Sequence, residues 1–328
     1  MTIDDIAAVT DKFYFTLYAD DTTLLEPLCT FSFNFPPNYT ALSCLSTWCK
    51  NHVLSCSINR ELLAITDWLC LNKLSLNVGK TKMMIFHYRQ RNISHIKAHL
   101  LINVKYLKQV WKLDFPGIII EETLTWNDHV QKISSKIAVT VGTINRLKRF
   151  VPKSILKTIY SALIQPFLNY GILLWGHNTS RIFKLQKRAV RAITCSKYNA
   201  HTDPLFKSLK LLKITDIYSL ARLKFYHKYN RGILPDYFNG IFDQTQRSHP
   251  YSTRYRDIPI TNHPNRQSTA DIIRFSVPSL LCTMPHCITD KITTHSLQGF
   301  SNYVKNHFLS NYSTICEIVN CYVCSDQN

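Results

Sequence analysis

The sequence predicts an α+β fold: a β-hairpin, a helix and further strands in the first 127 residues, followed by a mainly α-helical remainder. Three observations carry this reading. Aromatic and aliphatic strand formers flank an Asp-Asp turn close to the start. At Asp128 the hydrophobic pattern changes from short extended runs to a sustained helical repeat. The 328 residues are 45% hydrophobic, enough to fill the cores of about two domains, which excludes a generally disordered chain.

Along the chain, Phe13-Tyr14-Phe15-Thr16-Leu17-Tyr18 favours an extended strand, Asp20-Asp21 is turn chemistry, and Thr22-Thr23-Leu24-Leu25 returns as a second strand. The result is a hairpin with two carboxylates at its tip. After an irregular stretch around Pro36-Pro37, apolar residues recur at Leu62, Ile65, Trp68 and Leu69, then at Leu71, Leu74 and Leu76. This predicts a helix closing near Asn77-Val78-Gly79, with Gly79 as its stop. Residues 82–88 read as a strand, and Pro116-Gly117-Ile118-Ile119-Ile120 begins another.

From Asp128 the apolar residues Val130, Ile133, Ile137, Val141, Ile144 and Leu147 share one helix face. Pro152 suits the first turn of a next helix over residues 155–164, and Pro166 is expected to end it. Residues 181–193 form a third, strongly basic amphipathic helix. Residues 243–269, rich in Pro, Ser, Thr, Asn, Gln and Arg, read as a linker or surface loop, and no internal repeat is detectable. The expected organisation is a mixed segment over 1–127, a basic helical segment over 128–230 and a C-terminal segment over 231–328.

The formal charge is +18, and its location is informative. Residues 1–129 are neutral and residues 231–328 carry +1, whereas residues 130–230 hold 19 Lys and Arg against only Asp203 and Asp216. Such a block repels itself without a counter-charge, so a polyanion is the expected partner. The named candidates for phosphate contact are Lys132, Lys136, Arg146, Lys148, Arg149, Lys184, Lys187, Arg188 and Arg191.

The start, Met1-Thr2-Ile3-Asp4-Asp5, lacks the basic and apolar regions of a signal peptide, and no run approaches the roughly 20 apolar residues of a spanning helix. An intracellular protein, cytoplasmic or nuclear, neither secreted nor membrane-borne, is expected. The 11 cysteines are scattered and odd in number, as suits reduced thiols. Two clusters have partial zinc spacing: Cys44, Cys49, His52 and Cys56, and Cys316, Cys321 and Cys324 with a distant His307. Neither has a complete ligand pattern, so zinc is not expected, and a zinc-dependent nucleic-acid-binding protein remains a third reading.

Adjacent acids at a hairpin tip repel unless a divalent cation neutralises them. Two-metal phosphoryl transfer uses this arrangement: one ion activates a 3′-hydroxyl and the other stabilises the leaving pyrophosphate. In isolation Asp-Asp is an ordinary solvated turn, and only its context makes it more.

That context is a series of landmarks in order. Tyr18-Ala19-Asp20-Asp21 resembles the palm-domain aspartate motif of reverse transcriptases, and its form is similar to that of non-LTR retrotransposons, particularly jockey-like elements. Trp68 with Asn72-Lys73-Leu74-Ser75-Leu76-Asn77 and Lys80-Thr81-Lys82 resembles the next palm segment. Gly117-Ile118-Ile119-Ile120, Leu124-Thr125-Trp126 and His129 resemble the primer-grip region, with Glu121 where the family usually has Asp and Pro116 where it has Leu. Tyr160-Ser161-Ala162-Leu163-Ile164-Gln165-Pro166, Tyr170-Gly171 and Trp175-Gly176 look like the thumb, and residues 185–191 and 201–206 look like the family's next segments. Weaker echoes run through Thr253-Arg254, Ile273-Arg274-Phe275 and Pro278, and the last segment departs from the pattern at Leu281-Cys282.

The resemblance covers about residues 1–310. It implies a partial polymerase palm over 1–127, a thumb over 128–230 and a C-terminal segment. It further implies Asp20 and Asp21 as catalytic ligands of Mg²⁺ or Mn²⁺ and Lys80 as a contact to the leaving pyrophosphate. The partners implied are an RNA template, a DNA primer duplex and deoxynucleotides. Ile3-Asp4-Asp5-Ile6 is similar to a stretch lying after the family's first aspartate motif and its Gln-Gly motif, so neither fits in this chain. The expectation is therefore the C-terminal half of an RNA-directed DNA polymerase, inactive alone. The alternative is a non-catalytic basic nucleic-acid-binding remnant.

Overall fold

Two runs of β-branched and aromatic residues, two positions apart, pair as an antiparallel hairpin of β1 (Tyr14–Tyr18) and β2 (Asp21–Leu25), in register from Tyr14 opposite Leu25 to Tyr18 opposite Asp21. The hairpin thus forms where the sequence predicts it. The computed structural model describes residues 14–18, 21–25, 47–74, 76–87, 99–102, 105–242 and 272–313, with side chains from residue 58 onward except at position 237. The predicted linker at 243–269 lies outside these residues. The chain divides into two units, Met1–Leu124 and Thr125–Asn328.

In the first unit, α1 (Thr47–Leu71) buries Ile58, Leu62 and Ile65, as its periodicity predicts. The helix ends earlier than expected, at Leu71 and not near Gly79. Lys73 takes a left-handed conformation, φ 58°, and the amides of Lys73 and Leu74 donate to the carbonyls of Cys70 and Leu69. These are the two bonds of a Schellman cap, completed here without glycine. Leu71 and Leu74 are consequently exposed and do not extend the core face.

Short strands come next. β3 (Lys82–Met83) pairs in parallel with β6 (Lys108–Gln109), and β4 (Leu101–Ile102) pairs antiparallel with β5 (Lys105–Tyr106). The strand expected over 82–88 is therefore only two residues long. β7 (Lys112–Phe115) and β8 (Ile118–Glu121) form a second hairpin across Pro116-Gly117, where Gly117 at φ 84° occupies a position that excludes most side chains. Met83, Leu100 and Ile102 pack with Ile58 and Leu62. Asn59 acts as a polar pin in this core, accepting from the Leu101 amide at 2.9 Å and donating to the His99 carbonyl at 3.0 Å.

The second unit is helical. α2 (Asn127–Leu147) buries the predicted stripe from Val130 to Ile144. Pro152, extended at ψ 158°, precedes α3 (Lys153–Leu163). Pro166 opens α4 (Gln165–Asn169), because proline lacks the amide that a helix start leaves unused anyway; it does not terminate a helix as expected. Gly171, left-handed at φ 62°, turns the chain into α5 (Ile172–Trp175). Beyond it lie α6 (Ser180–Ile193), α7 (Asp203–Leu209) and α8 (Ile214–Asn230), then a 3₁₀ turn at Asp236–Phe238. The C-terminal helices are α9 (Ile273–Thr283), α10 (His286–Thr289), α11 (Lys291–Thr294) and α12 (Leu297–Ser310).

The core of this unit holds Tyr160, Trp175, Phe206 and Phe300, each almost wholly buried. The Trp175-Gly176 pair has a steric explanation. A Cβ at Gly176 would stand 2.3 Å from the Tyr218 ring on α8 and 2.4 Å from the Ile172 carbonyl, so only glycine fits. Residues 272–313 pack on α8: buried His227 lies 2.9 Å from the His295 carbonyl and stacks on Phe300, while Arg231 donates to the carbonyls of Thr293 and His295.

Candidate nucleic-acid interface

Asp21 is the first residue of β2, facing Tyr18 across the ladder, and Ala19 and Asp20 lie outside the described residues. Lys80 is exposed in the turn after α1, its amide held by the Asn77 side chain at 3.2 Å. Of the zinc clusters, Cys44, Cys316, Cys321 and Cys324 lie outside the described residues, as do the side chains of Cys49, His52 and Cys56. His307 lies 3.0 Å from the Asn311 amide nitrogen. Among the described residues no three His, Cys, Asp or Glu gather as a metal site, and no helix is long and apolar enough to cross a membrane.

The basic helices are described in full, and they separate the predicted cations by role. α2 and α6 run side by side in the same direction. The Asn178 amide donates to Asn127 Oδ1 at 3.0 Å, Arg181 donates to Gln131, and the pairing continues along both helices. The seam between them opens as a groove of about 300 Å³. Arg181, Lys184 and Arg188 line one wall with Leu185, and Ser134, Ser135 and Ala138 line the other. Lys184 and Arg188 were predicted contacts; Arg181 was not, although its i, i+3, i+7 relation to them was the available signal.

The other predicted cations sit elsewhere. Lys136 lies over the Phe167 ring at 5.2 Å and, two residues from Ala138, is about 160° around α2 from the groove. Arg146, Lys148 and Arg149 gather at the C-terminus of α2, where the helix dipole itself favours positive charge. Lys132 is half-buried on α2. Lys187 packs its ammonium over Phe183 at 4.4 Å. Arg191 is turned inward: its Nε donates to the Ala200 carbonyl at 2.8 Å, and partial burial lowers the guanidinium pKa. It holds the loop after α6 and does not face outward with Arg188.

Both acids of the block are engaged. Asp203 pairs with Lys213 at 2.7 Å, and Asp216 accepts from the Tyr312 hydroxyl. Burial raises the Asp216 pKa against the opposing hydrogen bond from Tyr312. Burial and the neighbouring Asp216 hold the Tyr312 phenol well above its ordinary range.

A likeness of sequence stands beside this geometry, for the chain is similar to RNA-directed DNA polymerases of non-LTR transposons. It is 26% identical over 203 residues to the probable RNA-directed DNA polymerase from transposon BS of Drosophila melanogaster, covering 59% of this chain and 20% of that protein. It is 23% identical over 167 residues to the polymerase from mobile element jockey of Drosophila funebris, covering 49% and 18%. It is also 23% identical over 163 residues to the probable polymerase from transposon X-element of Drosophila melanogaster, covering 46% and 17%. The chain thus spans about a fifth of the length of these curated relatives. No family model and no solved structure matches it.

Proposed function

We propose that residues 1–328 are a segment of an RNA-directed DNA polymerase of a non-LTR retrotransposon whose helical unit holds the sugar-phosphate backbone of the template–primer duplex. The observation that carries the binding half is the 19-to-2 imbalance over residues 130–230. The apolar helix faces are buried, both acids already have partners, and Arg181, Lys184 and Arg188 face outward along one helix. A polyanion relieves that repulsion, and the relatives' names supply its class.

In this reading Asp20 and Asp21 are the metal-binding carboxylates, and their all-oxygen donor set fits Mg²⁺. The bound ion supplies charge neutralisation at the reacting phosphoryl group. Lys80 contacts the pyrophosphate. The third carboxylate and the nucleotide-positioning surface come from sequence beyond these residues. Without them, electrostatic stabilisation and orientation worth several kcal/mol of barrier are missing, so this polypeptide alone does not extend a primer.

Fluorescence anisotropy with an RNA–DNA duplex tests the binding half. Affinity should fall steeply with salt, by about 0.9 log units per log unit of salt for each phosphate contacted, with little sequence preference. A flat salt dependence sinks it. Primer extension by the polypeptide alone with Mg²⁺, abolished by Asp20→Ala, would overturn the inactivity. Duplex binding without extension, even after an upstream polymerase half is supplied, supports the non-catalytic binding protein instead.

A further inference from the structure

We propose that the groove between α2 and α6 is a seat for the phosphodiester backbone of one nucleic-acid strand, with Ser134 as its hydrogen-bond donor; this rests on the reading that the helical unit binds nucleic acid. The groove is a built feature of the helix pair. Small side chains at Ser134, Ser135 and Ala138 leave space on α2 where α6 presents Arg181, Lys184 and Arg188. Gln131 accepts from Arg181 and orients the first of these cations at the groove's end. The volume of about 300 Å³ suits a phosphate group and its sugar and is too small for a folded partner.

Ser134 provides the second, independent observation. Ser134 is one of the residues lining the groove, its side chain is only 2% exposed, and its Oγ has no hydrogen-bond partner. A buried hydroxyl without a partner costs stability in the free protein and needs a reason. A phosphate oxygen in the groove would accept from it, while the guanidinium groups of Arg181 and Arg188 and the Lys184 ammonium neutralise the anion. From Arg181 to Arg188 is seven steps of α6, about 10 Å of helix, which matches about three phosphate spacings along one strand at about 3.4 Å of axis each. Neither Arg181, Lys184 nor Arg188 has a salt bridge among the described residues.

Duplex anisotropy on the full chain separates this site from diffuse attraction. Ser134→Ala should weaken binding about tenfold while the melting temperature stays the same or rises, since it removes an unsatisfied hydroxyl. Ala138→Trp, on an exposed position, fills the groove without altering charge and should weaken binding about tenfold as well. Neutralising Arg181, Lys184 and Arg188 to Gln should flatten the salt slope by about two units more than neutralising Lys153, Lys157 and Lys197. If wild type binds but Ser134→Ala and Ala138→Trp bind equally well, and both triple variants fall alike, the groove is overturned while the nucleic-acid reading stands. If wild type does not bind, the reading itself fails and the groove with it.

Discussion

Gln186 of α6 is fully buried and satisfies three partners at once. Its amide nitrogen donates to the Tyr160 hydroxyl and the Leu212 carbonyl, and its oxygen accepts from the Ile214 amide, each at 2.9 Å. One side chain thereby fastens α3 and the start of α8 to α6. Replacing it by Leu orphans an amide, a carbonyl and a hydroxyl together, so Gln186→Leu should cost about 2–4 kcal/mol in urea unfolding, and Tyr160→Phe about 1 kcal/mol. The same pair predicts alkaline behaviour. Burial raises the Tyr160 phenol from 10.0 to about 12 against the hydrogen bond from Gln186. A raised folded-state pKa means the stability is fully present below the unfolded value and is lost as pH climbs through the folded one. The urea midpoint should therefore fall between pH about 10 and 12, and Tyr160→Phe should make that decline shallower; an unchanged slope would refute the assignment. None of this was legible in the chain, where Gln186 is one polar residue in a basic run and its partners lie 26 to 28 positions away. Arg191 teaches the same point: a solvated arginine and one holding a loop have identical helical spacing.

At the scale of elements, the apolar period located most helices but misjudged where they stop. The leucines at 71, 74 and 76 continue the α1 pattern, yet the backbone turns left-handed at Lys73, and the capping hydrogen bonds decide the end. Because a Cβ is strained at that φ of 58°, Lys73→Gly should stabilise the first unit by about 0.5–1 kcal/mol, read as a higher urea midpoint with unchanged slope. An unchanged or lower midpoint would mean that the Lys73 side chain contributes a contact outweighing the strain. Pro166 carries a related lesson. Proline blocks a helix interior but suits a helix start, and only the chain's path after Ile164 decides which role it has. The short helices α4 and α5 were invisible because four or five residues cannot display a period.

For the whole molecule, charge and motif order were readable from residues alone. Both are properties of composition and sequence position, which folding does not alter: the +17 block, the β1–β2 hairpin, the buried stripe of α2 and the likeness to non-LTR polymerases all derive from them. The tertiary structure decided where each cation sits and what it touches. It set Arg181, Lys184 and Arg188 along one groove, turned Arg191 toward the Ala200 carbonyl and packed Lys136 and Lys187 over aromatic rings. It also left Ser134 buried without a partner beside the first three. The reason is geometric. A helix period says which residues share a face of one helix, whereas this groove is made by two helices about 50 residues apart, whose alignment is set by side-chain packing and hydrogen bonds between them.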